Sequence, residues 1–133
     1  MEELRKKFIV EEKLDERRVT NYIERTLPFC KISKEGQVIL EVKVTSLQQV
    51  KLALVARFLA NYLDKSITAE ISNHELSTSL NIPEDQIAAR LGDLREEKFA
   101  TSVRKGVSQV NPLQIERFIV ELESKDKRKV EKP

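Results

Sequence analysis

Apolar residues recur along this chain with two different periods, and the switches between them mark the elements. Val19, Tyr22, Ile23 and Leu27 return every three or four residues and stop before Pro28, which predicts a helix. Asp15 is placed to cap it, with Leu14 and Val19 at hydrophobic-staple positions. After a turn at "SKEG" (33–36), Val38, Leu40, Val42 and Val44 alternate with Ile39, Glu41 and Lys43 in "QVILEVKV" (37–44), the pattern of a half-buried strand. Ser46 with Gln49 reads as a capping box that opens a helix over 47–63. Its apolar residues, Leu47, Val50, Leu52, Leu54, Val55, Phe58, Leu59, Tyr62 and Leu63, exceed what one contact face needs. That helix is expected to be covered on two sides, by the N-terminal segment or by a second copy of the chain. The first 14 residues fit either a charged helix or a strand around "FIVEE" (8–12), and periodicity does not separate the two.

Further along, "SITAEIS" (66–72) is β-branched and predicts a short strand, and Ser72 with Glu75 repeats the capping-box pattern before a helix ending near Leu80. "NIP" (81–83) supplies a turn, and Pro83 suits the first turn of a third helix over 83–97. Ile87, Leu91 and Leu94 form the core stripe of that helix. "FATSVRKGVSQV" (99–110) reads as two β segments around "RKG", with Gly106 able to take a positive φ. Asn111 and Pro112 then open a last helix whose inner face is Ile115, Phe118, Ile119 and Leu122. The predicted class is α+β, mainly helical, in three segments: an N-terminal helix and strand extension over 1–45, a domain over 46–122, and a charged tail over 123–133 expected to bury nothing.

Composition narrows the chemistry. With 133 residues, 35% of them charged, 5% aromatic and no Trp, the chain suits a soluble, helix-rich domain held by Leu, Ile and Val. One cysteine, Cys30, and one histidine, His74, allow neither an intramolecular disulfide nor a zinc site of the usual ligands, so a reducing cytoplasm is the expected compartment. Cys30 is expected to be a small buried apolar residue and His74 an exposed polar one. The N-terminus has no apolar signal region, and "LALVARFLANYL" (52–63) is short and interrupted by Arg57, so no membrane association is expected. No phosphate-loop, HExxH or GxSxG motif occurs, and neither an enzyme nor a cofactor is expected.

The order helix, strand, helix, turn, helix, β-hairpin is that of a winged helix-turn-helix domain. Residues 47–122, and "ELSTSLNIPEDQIAARLGDLREEKFA" (75–100) above all, resemble the small archaeal and bacterial DNA-binding regulators of that family. The resemblance implies that the third helix enters the major groove of double-stranded DNA and that the wing, 99–110, reaches phosphates or the minor groove. Carried onto this chain, Gln86 and Arg90 become base-edge candidates, Arg104 and Lys105 the wing-tip cations, and Ser77 and Thr78 hydroxyl donors to the DNA backbone. A homodimer reading two half-sites in transcription regulation is the expected assembly.

Charge runs against that picture in one place. Residues 46–122 hold nine Lys/Arg against ten Asp/Glu, so the domain is not basic. At about 100° per residue, the side of the third helix facing away from its core stripe carries Asp85, Ala89, Gly92, Asp93 and Glu96: three carboxylates and no cation. Such a face suits a basic protein surface better than DNA. The alternative expectation is therefore a protein-binding module of a transcription or replication assembly. In the tail, Lys125, Lys127, Arg128, Lys129 and Lys132 are expected to be solubilising, with a weak grip on nucleic acid as the other reading.

Overall fold

A computed structural model describes residues 1–8 and 15–126, apart from the side chain of Lys6. The elements in order are α1 (Glu2–Phe8), α2 (Glu16–Thr26), β1 (Cys30–Ile32), β2 (Val38–Leu40), α3 (Ser46–Leu63), β3 (Ile71–Ser72), α4 (Asn73–Leu80), α5 (Glu84–Glu96), β4 (Ala100–Arg104), β5 (Val107–Val110) and α6 (Ile115–Ser124). A 3-10 turn over Pro112–Gln114 leads into α6. The fold is α+β and mainly helical, with an antiparallel pair β1-β2 and an antiparallel sheet in the order β3-β5-β4. Residues 9–14, which hold most of "FIVEE" and Leu14 of the expected staple, and tail residues 127–133 lie outside the described residues.

Local chemistry explains most boundaries. Asp15 caps α2 by accepting from the Arg18 amide at 2.8 Å. The cap of α3 is Thr45, not Ser46: Thr45 has extended backbone and its hydroxyl accepts from the Gln48 amide at 3.3 Å, while the Gln49 side chain donates to the Val44 carbonyl at 3.0 Å. Two adjacent hydroxyl residues both fit the pattern, and backbone conformation selects the first. The Ser72–Glu75 box closes in both directions, with amide-to-side-chain bonds of 3.0 and 3.1 Å.

Strands are shorter than periodicity predicts, because a strand lasts only as long as its partner. β2 covers Val38–Leu40 rather than 37–44, since β1 offers three residues, in the register Cys30↔Leu40, Lys31↔Ile39 and Ile32↔Val38. Burial nevertheless keeps alternating through Val44. β1 was not legible in the sequence, as three residues show no period. "SITAEIS" contributes only Ile71 and Ser72, which pair with Ser108 and Val107 of β5.

The core is built around α3, where Val50, Leu52, Ala53, Leu54 and Val55 are fully buried. The N-terminal part of the same chain covers part of it: α2, β1 and β2 pack against α3, as do α4, α5 and β5. Val19, Tyr22, Phe29, Cys30 and Val38 join Leu76, Ile87, Leu91, Leu94, Phe118 and Ile119 in one continuous cluster. Leu27, the last residue of the α2 stripe, is an exception and stands 49% exposed. Helix α6 returns to α2, where Arg25 binds Glu123 through Nε at 3.0 Å and Nη2 at 2.7 Å, and Glu116 through Nη1 at 2.9 Å. The charged C-terminal segment therefore does bury something: Asp126 is 7% exposed, and Glu123 is held by this fork.

One buried charge ties the parts together. Arg57 is 3% exposed on α3, and its guanidinium donates to the carbonyls of Thr68 (2.8 Å), Gly36 (3.1 Å) and Glu70 (2.8 Å) and to Glu75 Oε2 (3.1 Å). Gly36, at φ +88°, lets the 33–36 turn approach closely, since an added Cβ would sit 3.4 Å from Arg57 Nη1. Partial burial opposes the charge of Glu75, but the Ser72 amide and Arg57 outweigh it and hold this carboxyl below its usual range. A depressed carboxyl contributes stability that is present above its unfolded value, about 4.3, and lost as pH falls through the folded one. Glu75→Gln is expected to flatten the loss of stability that sets in as pH falls below the ordinary glutamate range. Parallel acid-unfolding curves for the variant and the natural protein would unlink this carboxylate from folding.

Candidate nucleic-acid interface

Helices α4 and α5 are joined by a turn in which Asn81 takes the left-handed conformation (φ 56°, ψ 48°) and closes α4. Ile82 is buried and Pro83 precedes the first turn of α5. Ile87, Leu91 and Leu94 are wholly inaccessible, so the opposite side of α5 is turned outward. Asp85, Gln86, Ala89, Asp93 and Glu96 are exposed there, and Gly92 is half-buried. A Cβ at Gly92 would meet only Arg95 Nη2 at 3.9 Å, an ordinary contact, so no packing within the described residues requires glycine at this position.

The residues carried over from the family resemblance stand in different situations. Gln86 presents its side chain to solvent. Arg90 is paired with Asp93 (Nε to Oδ2, 3.2 Å) and Arg104 with Glu70 (Nη1 to Oε1, 2.9 Å). Ser77 faces inward, its hydroxyl donating to the Ile82 carbonyl, whereas Thr78 is exposed. Lys105 is exposed at the tip of the β4–β5 hairpin, next to Gly106 at φ +73°. His74 is exposed, with Nδ1 3.7 Å from Glu84 Oε1.

Between α5 and the hairpin lies a recess of about 250 Å³, lined by Ala88 and Arg95 of α5, Ser102 and Ser108 of the paired strands, Lys105 and Gly106 at the tip, and Asn73 at the start of α4. Ser102 and Ser108 are directly opposite in the register and share one face of the sheet. The Asn73 amide donates to the Gly106 carbonyl at 2.9 Å and fixes the tip against α4. Two cations and no carboxylate line the recess, and among the described residues neither Arg95 nor Lys105 forms an ion pair. Of these residues, Lys105 alone was expected to bind nucleic acid. Arg95 was visible as a border residue of the α5 stripe, but Asn73, Ser102 and Ser108 reach the recess through strand pairing and an irregularity in β4 between Ser102 and Arg104.

No helix among the described residues is long and apolar enough to cross a membrane. Comparison with protein-family models, with curated proteins and with solved structures finds no match for this chain.

Proposed function

We propose that residues 46–122 form a winged helix-turn-helix domain that binds double-stranded DNA, with α5 as the presented helix and β4–β5 as the wing. The observation that carries this reading is the convergence of Arg95 and Lys105, both without an ion-pair partner among the described residues, in the cleft between those two elements. The sheet order β3-β5-β4 and the capped α4 joined to α5 by a tight turn support it. Because Arg90 is engaged by Asp93, Gln86 remains the base-edge candidate on α5, and most of the affinity comes from backbone phosphates. A two-fold dimer in transcription belongs to the reading, supported by an apolar recess of about 380 Å³ beside the exposed Leu27 and Leu63. The site of action in this reading is the reducing cytoplasm, where Cys30, its thiol pushed up to about 12 by burial and then by Glu41, stays unreactive.

Fluorescence anisotropy with a mixed duplex pool tests this. The logarithm of the affinity is expected to fall linearly with the logarithm of salt, and Lys105→Ala to make that slope shallower by roughly 1. Absence of binding at low salt removes the DNA reading, and one chain per saturated site removes the dimer.

A second reading rests on the acidic outward face of α5. Asp85, Asp93 and Glu96 are exposed together, which suits a basic protein partner in a transcription or replication assembly.

A further inference from the structure

We propose that the recess between α5 and the β4–β5 hairpin is a built site for a phosphate group, held by Arg95, Lys105 and the hydroxyls of Ser102 and Ser108. It deepens the DNA reading in one respect: if that reading holds, the group is a backbone phosphodiester, and if it fails, the group is a free phosphomonoester.

Charge is the first argument. The chain as a whole is nearly balanced, with 24 Lys/Arg against 22 Asp/Glu, and nearby cations are matched locally, Arg90 by Asp93 and Arg104 by Glu70. Arg95 and Lys105 break that pattern by converging on one concavity without a carboxylate. Two unpaired cations lining one concavity favour an anion there.

The second argument is Ser108. It is 2% exposed, it lines the recess, and its hydroxyl has no hydrogen-bond partner among the described residues. A hydroxyl on a buried residue that opens only onto this recess can donate to an acceptor held there, and a phosphate oxygen is an acceptor of the strong, charged kind. Ser102, opposite it in the ladder, places its hydroxyl 3.3 Å from the Arg104 carbonyl, a long bond that can be exchanged for an oxyanion. The Asn73 side chain offers a further donor at the rim. At about 250 Å³ the recess has room for a tetrahedral oxyanion together with a few waters, each of which takes about 30 Å³.

The test is an amide-resolved NMR titration of the full chain with inorganic phosphate, against sodium chloride at matched ionic strength. The Lys105, Gly106 and Ser108 amides are expected to shift saturably with phosphate alone. Arg95→Gln and Lys105→Gln should each weaken binding roughly tenfold, and Ser108→Ala several-fold, with unchanged spectra elsewhere as the check on folding. Shifts that chloride reproduces, or that never saturate, overturn the site, even if the chain binds DNA by other residues. Adding duplex DNA to the phosphate-loaded protein then identifies the source. Displacement of phosphate marks the recess as a backbone contact. DNA bound with phosphate still in place keeps the site, assigns it to a small phosphomonoester, and overturns its role in the DNA reading.

Discussion

Arg57→Met is expected to lower the free energy of unfolding by about 3 kcal/mol or more, measured by urea denaturation followed by circular dichroism. The methionine would fill much of the same space, so the loss reports hydrogen bonding rather than a cavity. Four acceptors are fixed by this one guanidinium: the carbonyls of Gly36, Thr68 and Glu70, and the Glu75 carboxylate. Removing the donor leaves the buried Gly36 carbonyl unsatisfied and the part-buried Thr68 and Glu70 carbonyls short of a partner, which costs more than the bonds themselves contribute. Arg57→Lys is expected to recover only part of the loss, because an ammonium cannot reproduce the planar fork of five donors. A loss below about 1 kcal/mol for the Met variant would mean that water takes over the carbonyls and that Arg57 does not brace the fold. The same bonds connect the 33–36 turn of the N-terminal segment to the capping box of α4. The variant should therefore also loosen the platform on which α5 is presented.

Neutralising the outward face of α5, as Asp85→Asn, Asp93→Asn and Glu96→Gln together, is expected to raise affinity for duplex DNA by on the order of tenfold at low salt. Each of these carboxylates is exposed on the side that faces away from the core, so DNA approaching α5 meets them first. Loss of Asp93 also frees Arg90, which it holds at 3.2 Å. The sign of the effect separates the two readings. Tighter DNA binding is the outcome for a DNA-binding domain whose grip comes from phosphates around the helix. Unchanged DNA binding, together with loss of a partner protein in pull-downs from native extract, is the outcome for an interaction module. Because the three positions are exposed and none bonds to Arg57, stability should change by no more than about 0.5 kcal/mol.

Short-range rules carried the reading of this chain a long way where the decisive forces are local. The cap at Asp15, the reciprocal Ser72–Glu75 box, the Ile87, Leu91 and Leu94 stripe and the positive φ of Gly106 each depend on residues within a turn or two. The outward exposure of Asp85, Asp93 and Glu96 follows from the same helical period. Those features, and the α+β, mainly helical class, can be read before any contact is known.

Pairing across the chain is another matter, because its energy depends on partners that sequence spacing does not identify. β1 exists because Cys30–Ile32 finds β2, and β3 is only Ile71 and Ser72, the two residues that pair with Ser108 and Val107 of β5. Arg57, at first sight a charge interrupting an apolar helix, is buried by acceptors 11, 13, 18 and 21 residues away. That α3 is covered by its own N-terminal segment, through α2, β1 and β2, is likewise a matter of packing that spacing along the chain does not reveal. The partition of cations into the matched Arg90 and Arg104 and the unmatched Arg95 and Lys105 also needs three dimensions. Composition counts charges, but Coulomb's law acts on distances, and those are set by how α5, the hairpin and the 66–72 segment come together.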